Sequence, residues 1–326
     1  MIKLLVLWLL LPAVTGASIH GSPSPDIASN LVTAGLALDG SDTPAPAAPA
    51  DAMPSAATPL AAAPDQSQIC AGVSFSRGLK YGENDRNVLD VAASDSGNGA
   101  PRPVLVFVAG ESFAAGASDD GPLRDEVLCF AARHGMVGVR VNYRLAPEYP
   151  WPAATKDVAA AISWVHQNAD LFGGSRDEII AIGYSVGAFH VASFLGHPEL
   201  QDRDSDVAAA VLVSGIYRPS ADASAAEKSY FGGDASKYDG RSAFPGILNI
   251  DTPLLLAWSA LDPPRLIAQG EKLKELLCNS PTHCPHTTIL KNKNGLASAY
   301  GLDPSGGSLA EPTLELVREI EARGMP

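Results

Sequence analysis

The chain is poor in positive charge. Its 326 residues contain 23 Lys and Arg against 36 Asp and Glu, which gives a net charge of −13. Proteins that bind nucleic acid or anionic lipid surfaces through charge present basic faces, so this balance argues against both kinds of partner. The acidic balance alone identifies no substrate.

A second scarcity is local. Residues 18–68 contain no Lys, no Arg and no aromatic side chain, and they are rich in Ala, Pro and Ser. Such a segment cannot bury enough apolar surface to offset the entropy lost when a chain becomes ordered. We therefore expect residues 18–68 to form a disordered linker that is stiffened by proline.

The start of the chain, residues 1–17, has the pattern of a secretory signal peptide. Lys3 precedes an apolar run that is too short to span a bilayer, and Thr15 and Ala17 are small residues at suitable cleavage positions. We expect cleavage after Ala17, export to the periplasm or the exterior, and no stable membrane span in the mature protein. An uncleaved N-terminal anchor is the alternative.

Cysteine is also scarce, with four in the whole chain. Thiols of exported proteins tend to pair. Cys278 and Cys284 flank a proline-containing turn, and we expect a disulfide between them. Cys70 and Cys129 could form a second disulfide, although Cys129 would also suit a buried thiol on an amphipathic helix.

Residues 69–326 alternate between strand and helix patterns. Apolar runs such as PVLVFVA and EIIAIGY are typical of strands buried on both faces, and amphipathic segments separate them. This alternation predicts one α/β domain with a mostly parallel sheet and helices on both faces. Ligands bind such sheets beyond the carboxyl ends of the strands, so residues that directly follow a strand are the site candidates.

Two such positions carry residues suited to nucleophilic catalysis. The segment GYSVG places Ser185 in a G-x-S-x-G pattern between an apolar strand and an apolar helix, the context of a nucleophile elbow. There the backbone N–H of Val186 would help to stabilise an oxyanion. Asp262 follows a later strand in ALDPP, where a carboxylate could orient an imidazole, although an Asp before two prolines would also suit a helix N-cap.

The segment NYRLAPEYPWPAA, residues 142–154, carries a resemblance. Together with the segments around Ser185 and Asp262, it resembles the α/β-hydrolase fold and, within it, the hormone-sensitive-lipase-like carboxylesterases. The resemblance covers the chain from about Val73 onward. It implies hydrolysis of carboxylic esters with small acyl or aryl groups, without a cofactor or a metal.

The sequence departs from that family where the oxyanion hole is expected. The family has His-Gly-Gly-Gly after a buried strand, whereas this chain has Ala109, Gly110, Glu111 and Ser112. An ionised Glu111 would repel the negative charge that develops in the transition state, and the loss of one oxyanion donor costs about 3 kcal/mol. Alternatively, Glu111 turns away and leaves its N–H usable, or it is protonated and donates a hydrogen bond.

The catalytic histidine of the family is missing. Aligning ILKNKNGLASAYGLD, residues 289–303, with the family's last loop puts Gly295 at the histidine position. We expect His190, five residues after Ser185, to pack in the core. The other histidines fall away from the site, and His286 is expected just before the last strand, at the edge of the sheet opposite to Ser185. Lys293 is the one alternative base in this loop, and it would need burial to lower its pKa.

These observations predict a serine-esterase scaffold with Ser185 as nucleophile and Asp262 as acid, severely impaired or inactive because the base is absent. Two alternatives stay open. The chain could be a pseudoenzyme that binds a small ester or acid in the old pocket, or an active esterase that uses an unorthodox base such as Lys293. The sequence leaves the oligomeric state open.

Overall fold

The computed structural model describes residues 70–94, 99–110, 112–114, 121–203, 205–280, 283–291 and 309–324, with side chains omitted for 121–124 and 324. These residues all lie in one compact unit, Pro59–Pro326. The predicted signal peptide and the predicted linker fall outside the described residues. So do Glu111, Lys293 and Gly295, so that their predicted roles stay predictions.

An eight-stranded sheet runs through the described residues in the order β1-β2-β4-β3-β5-β6-β7-β8. β2 pairs antiparallel with both β1 and β4, and all the remaining pairs are parallel. This confirms the predicted mostly parallel sheet. The strands are β1 (Val73–Lys80), β2 (Val88–Ser94), β3 (Arg102–Val108), β4 (Val137–Val141), β5 (Gly174–Tyr184), β6 (Ala209–Val213), β7 (Leu254–Ser259) and β8 (His286–Leu290).

Helices cover both faces of this sheet, as the alternating pattern predicts. β3 shows the reason, because Val104, Val106 and Val108 enter the core under one set of helices, and Leu105 and Phe107 enter the core under the other. α2, α3 and α5 pack on the first face and α1 and α6 on the second. The helices are α1 (Gly121–Arg133), α2 (Ala153–Asn168), α3 (Val186–Gly196), α4 (Ala225–Phe231), α5 (Pro264–Leu277) and α6 (Ala310–Gly324).

Element boundaries differ from the sequence expectation in three places. β5 begins at Gly174, four residues before the predicted start, because Gly173 ends the preceding 3₁₀ helix in a left-handed conformation with φ of 70°. β8 begins at His286, which was expected to precede the strand. The segment between β6 and β7, expected without elements, contains α4 and three short 3₁₀ helices. We call residues 216–250 the insert.

The predicted Cys278–Cys284 disulfide is present, and so is the second disulfide, which the sequence left open. Cys278 and Cys284 are linked after the end of α5, and Cys70 is linked to Cys129, which lies on α1. Cys129 is fully buried on α1, but as a disulfide partner and not as the buried thiol that was the alternative. The longer link closes 59 residues of separation and ties the first described residue to the helix that follows β3.

The described part of the chain contains no helix that is long and apolar enough to cross a bilayer.

Candidate active site

Polar side chains follow three neighbouring parallel strands at the carboxyl edge of the sheet. Ser185 comes directly after β5, Ser214 directly after β6, and Asp262 three residues after β7. The strand register aligns Tyr184 with Val213, and Val213 with Ala257. The three polar residues therefore share one edge, the position where ligands bind such sheets.

Ser185 occupies a strained turn between β5 and α3. Its φ is 53° and its ψ is −116°, a conformation that L-residues rarely adopt. The flanking glycines make the turn possible, because a Cβ on Gly183 would lie 2.5 Å from the carbonyl oxygen of Gly187, and a Cβ on Gly187 would lie 2.0 Å from that of Val108. The G-x-S-x-G spacing is thus a steric requirement of the turn.

The N-terminus of α3 directly follows Ser185. Val186 is the first residue of the helix and is 8% exposed. A backbone N–H in the first turn of a helix has no intrahelical acceptor, and the helix dipole makes this end favourable for negative charge. The N–H of Val186 is therefore suited to an oxyanion.

Gly110 brings the segment after β3 against Ser185. A Cβ on this residue would lie 2.5 Å from the carbonyl oxygen of Tyr184 and 3.0 Å from the Cβ of Ser185. Only glycine fits at that distance. Glu111 is its covalent neighbour and lies outside the described residues.

The NYRLAP segment holds the residues that follow β3 in place through hydrogen bonds. The hydroxyl of Tyr143 donates to the carbonyl of Ala109 at 2.8 Å, and the N–H of Ala146 donates to the carbonyl of Phe113 at 3.1 Å. Tyr143 is fully buried and Phe113 is 3% exposed. The motif that carries the family resemblance therefore supports, through two hydrogen bonds, the segment that lies next to Ser185.

Asp262 is fixed through one of its two carboxylate oxygens. Oδ2 accepts a hydrogen bond from the hydroxyl of Ser214 at 2.6 Å and another from the N–H of Ser259 at 2.8 Å. The N–H of Asp262 donates to the carbonyl of Ser259 at 3.1 Å, which closes the turn. Among the described residues no hydrogen bond to Oδ1 is present, whereas Oδ2 accepts two.

The loop predicted to carry the base leaves from the same edge. β8 is parallel to β7, and Leu290, its last residue, pairs with Ser259. Lys293 and Gly295 follow within five residues of Leu290 in the sequence. The predicted alignment therefore begins at the correct edge of the sheet, and the two residues themselves lie outside the described part.

His190 is buried, as predicted for a packing residue. Its ring is fully buried and lies 4.7 to 5.9 Å, between ring centroids, from four aromatic rings. Burial lowers the pKa of His190 to about 3, so the imidazole is neutral at physiological pH. Neither ring nitrogen has a hydrogen-bond partner among the described residues, and no described contact joins it to Ser185.

The other described histidines are engaged away from the three strand ends. His286 pairs with Leu255 near the start of β7, at the edge opposite to Ser185. His197 ends α3, and its ring nitrogens lie 2.8 Å from a carboxylate oxygen of Glu199 and 2.7 Å from the carbonyl of Ser242. The rest are His134 against the carbonyl of Phe130, His166 against that of Asp206, and His283 beside Asp251.

A partly buried ion pair, which sequence reasoning missed, joins the insert to the start of α5, close in sequence to Asp262. Glu227, 3% exposed, accepts from Arg265 at 2.6 and 2.9 Å and from the N–H of Ser224 at 2.8 Å. Burial favours the neutral carboxyl, but the Arg265 guanidinium and Ser224 together lower the pKa of Glu227 below its ordinary value. Arg265 lies three residues after Asp262, so the pair joins α4 to the start of α5. The sequence signal that could have revealed the start of α4 is S-A-A-E, a capping box that begins at Ser224.

Curated proteins that are similar in sequence to this chain include esterases. The BD-FAE family model matches residues 89–215. Esterase LipC of Mycobacterium tuberculosis is 33% identical over 150 residues, which cover 43% of this chain and 36% of that esterase. Esterase LipQ of the same organism is 31% identical over 149 residues, 43% of this chain and 35% of the relative. The chain therefore matches only about a third of the length of these curated relatives.

The solved structures extend the likeness of fold. Inhibited esterase B from Lactobacillus rhamnosis superposes with a TM-score of 0.63 at 16% identity, covering 77% of this chain and 87% of that one. At such identity the likeness concerns the fold. The strand order and the likeness to solved esterase structures show that the chain has an α/β-hydrolase fold, and part of its sequence is similar to carboxylic-ester hydrolases.

Proposed function

We propose that this protein carries serine-esterase machinery that is severely impaired or inactive in the chain as written. Ser185 is the nucleophile and Asp262 is the acid, while Gly295 occupies the position of the base. The observation that carries the proposal is the shared edge, where the strained Ser185 and the anchored Asp262 follow strands that are separated only by β6.

The missing base decides the expected rate. A serine hydroxyl is a weak nucleophile near neutral pH unless a neighbouring base removes its proton. Removal of the triad histidine in a serine protease costs on the order of 10⁶ in turnover. The described histidines offer no substitute, since His190 is enclosed by aromatic rings and the others are engaged elsewhere.

The oxyanion hole supports the same conclusion. An oxyanion hole at this place is supported by the contact of Gly110 with Ser185, by the position of Val186 at the start of α3, and by the hydrogen bond from Tyr143 to Ala109. Glu111 follows Gly110 directly, and its carboxylate would oppose the developing negative charge. A neutral Glu111, or one turned away, would leave the hole usable.

Two other functions compete with this one. A pseudoenzyme would use the same edge to bind a small ester or acid without turning it over, and the availability of Asp262 Oδ1 and the α3 N-terminus favours polar ligands. An active esterase would use an unorthodox base, with Lys293 as the candidate. We further propose that the mature protein is exported, secreted or periplasmic, because residues 1–17 have the signal-peptide pattern.

The test is turnover of a short p-nitrophenyl ester with and without added imidazole, which can enter a site from which a histidine side chain has been removed. We expect the unmodified chain to be barely above background, imidazole to raise its rate, and Gly295→His to raise it without imidazole. Ser185→Ala is the blank, and Asp262→Asn should remove most of the imidazole effect.

The outcomes separate the three functions. Typical esterase rates in the unmodified chain, abolished by Ser185→Ala and by Lys293→Ala, would favour the unorthodox base. Binding of p-nitrophenyl acetate or free acetate by calorimetry, with no turnover in any variant, would favour the binding module. N-terminal sequencing of exported protein that begins at Met1 would contradict cleavage.

A further inference from the structure

Two serines in the described chain share a rare backbone conformation. Ser185 and Ser214, with φ of 53° and 52°, are the only described non-glycine residues with positive φ. Each directly follows its strand, and each donates its N–H to the last paired residues of the next strand, Val213 and Ala257, at 2.8 Å. The turn that presents the nucleophile is therefore repeated one strand away.

The side chain of Ser214 explains why its strained backbone would be kept. Its hydroxyl, on a residue that is 4% exposed, donates to Oδ2 of Asp262 at 2.6 Å. The other donor to Oδ2 comes from the turn of Asp262 itself, the N–H of Ser259. Ser214 thus supplies the described hydrogen bond that holds the carboxylate from the neighbouring strand. Strain of this kind persists where the surroundings enforce it, and it concentrates at functional sites.

We propose that Ser214 is a positioning residue for the acid of this site, a role that rests on the proposed function. Its hydroxyl engages Oδ2 and so leaves Oδ1 for the base, whether a restored histidine or added imidazole. Ser214 follows β6, which lies between β5 and β7, the strands that precede Ser185 and Asp262. It touches neither substrate nor the reacting atoms.

The Ser214→Gly variant distinguishes a positioning role of the Ser214 hydroxyl from a purely structural one. Ser214→Gly removes the hydroxyl and relieves the positive φ, so the fold should tolerate it at least as well as Ser214→Ala. A serine kept only for packing would leave the rate unchanged in the glycine variant. A positioning serine would leave the folded protein with a slower reaction.

The first measurement does not need activity. Ser214→Ala, Asp262→Ala and the double variant form a thermodynamic cycle, read by urea denaturation. We expect coupling of roughly 10-fold or more in the unfolding constant, the size for a hydrogen bond to a charged group. Independent, multiplicative effects of the two substitutions would overturn the contact and with it the proposal.

The second measurement uses Gly295→His as the parent enzyme. Ser214→Gly should lower kcat by about 10- to 100-fold, as expected from a misplacement near 1 Å, with KM nearly unchanged. Ser205→Ala is the matched control, because Ser205 is 2% exposed and donates to the carbonyl of Asp202, away from the three strand ends. It should leave kcat unchanged.

The two hypotheses fail separately. If Gly295→His turns over and Ser214→Gly is as fast, the role of Ser214 is wrong and the proposed function stands. If neither Gly295→His nor added imidazole gives Ser185-dependent turnover, the proposed function is wrong and the positioning role falls with it.

Discussion

Replacement of Glu227 by Gln should weaken the link between the insert and α5. The carboxylate accepts two hydrogen bonds from Arg265, at 2.6 and 2.9 Å, and one from the N–H of Ser224 at 2.8 Å. The amide of Gln keeps the size of the side chain and one acceptor oxygen, so the cap on α4 can survive. The charge that holds Arg265 is lost.

The structure sets the magnitude of this loss. Glu227 is 3% exposed at its side chain and Arg265 is 33% exposed, so water can restore part of the solvation of the guanidinium. Breaking a fully buried pair costs about 3–5 kcal/mol, and a hydrogen bond to a charged group contributes about 1.5–3 kcal/mol. We expect Glu227→Gln to lower the free energy of unfolding by about 2 kcal/mol at pH 7.

The effect should depend on pH in a defined direction. Because the folded pKa of Glu227 is below its ordinary value, the carboxylate stabilises the fold above the unfolded pKa of about 4.3. That contribution is lost as the pH falls through the lower, folded pKa. The difference between the native chain and Glu227→Gln should therefore be constant from about pH 5.5 to 8 and shrink below about 4.3.

Urea denaturation at several pH values, with both disulfides intact, measures this difference. Glu311→Gln is the matched control, because Glu311 pairs with Arg318 at 2.7 Å while both side chains are more than half exposed, at 66% and 56%. That pair should contribute less than about 1 kcal/mol. Equal losses in the two variants, or a Glu227 effect that grows as the pH falls, would refute the reasoning.

Two further predictions concern stability. Removal of the Cys70–Cys129 disulfide by alanine substitution should cost about 4 kcal/mol, and removal of Cys278–Cys284 about 2 kcal/mol, because the links close 59 and 6 residues of separation; urea denaturation giving the reverse order would contradict this. Since the pKa of His190 is lowered to about 3, the unfolded chain below about pH 6.5 binds a proton that the folded chain does not. As the pH is lowered from 6.5 to 3, the free energy of unfolding should therefore fall less in His190→Leu than in the native chain. An equal fall in both proteins would show that His190 does not cause this pH dependence.

The sheet and the elbow could be predicted because they depend on patterns that local sequence carries. Strands buried on both faces must be apolar throughout, so β3 and β5 are recognisable as runs, and the turn at Ser185 needs small neighbours on both sides. Because parallel strands all run in the same direction, residues that precede a strand lie at one edge of the sheet and residues that follow a strand lie at the other. This is why His286 was placed correctly at the opposite edge, although it proved to be the first residue of β8.

The insert and Ser214 escaped prediction for different reasons. α4 has only seven residues, and its neighbours are 3₁₀ turns, so no helical period has room to appear. The contact between Ser214 and Asp262 joins residues 48 apart, and no local pattern reports a contact of that kind. The positive φ of Ser214 is equally invisible, because glycine or asparagine would be expected at such a conformation.

The conformation of Ser185 bears on whether the site is retained for chemistry. Gly183, Gly187 and Gly110 are demanded by close backbone contacts, so the fold requires them whether or not the chain is active. Ser185 is different, because at a φ of 53° the fold alone would favour glycine.

Ser185→Gly should therefore stabilise the protein. Relief of strain of about 1–3 kcal/mol exceeds the entropic cost of glycine, about 0.5–1 kcal/mol. We expect a net gain of about 1 kcal/mol in the free energy of unfolding, measured by urea denaturation, with Ser185→Ala near zero because it keeps the strained φ. If Ser185→Gly destabilises the fold, the serine hydroxyl serves the structure, and its presence no longer supports an ester-hydrolase site over a bare scaffold.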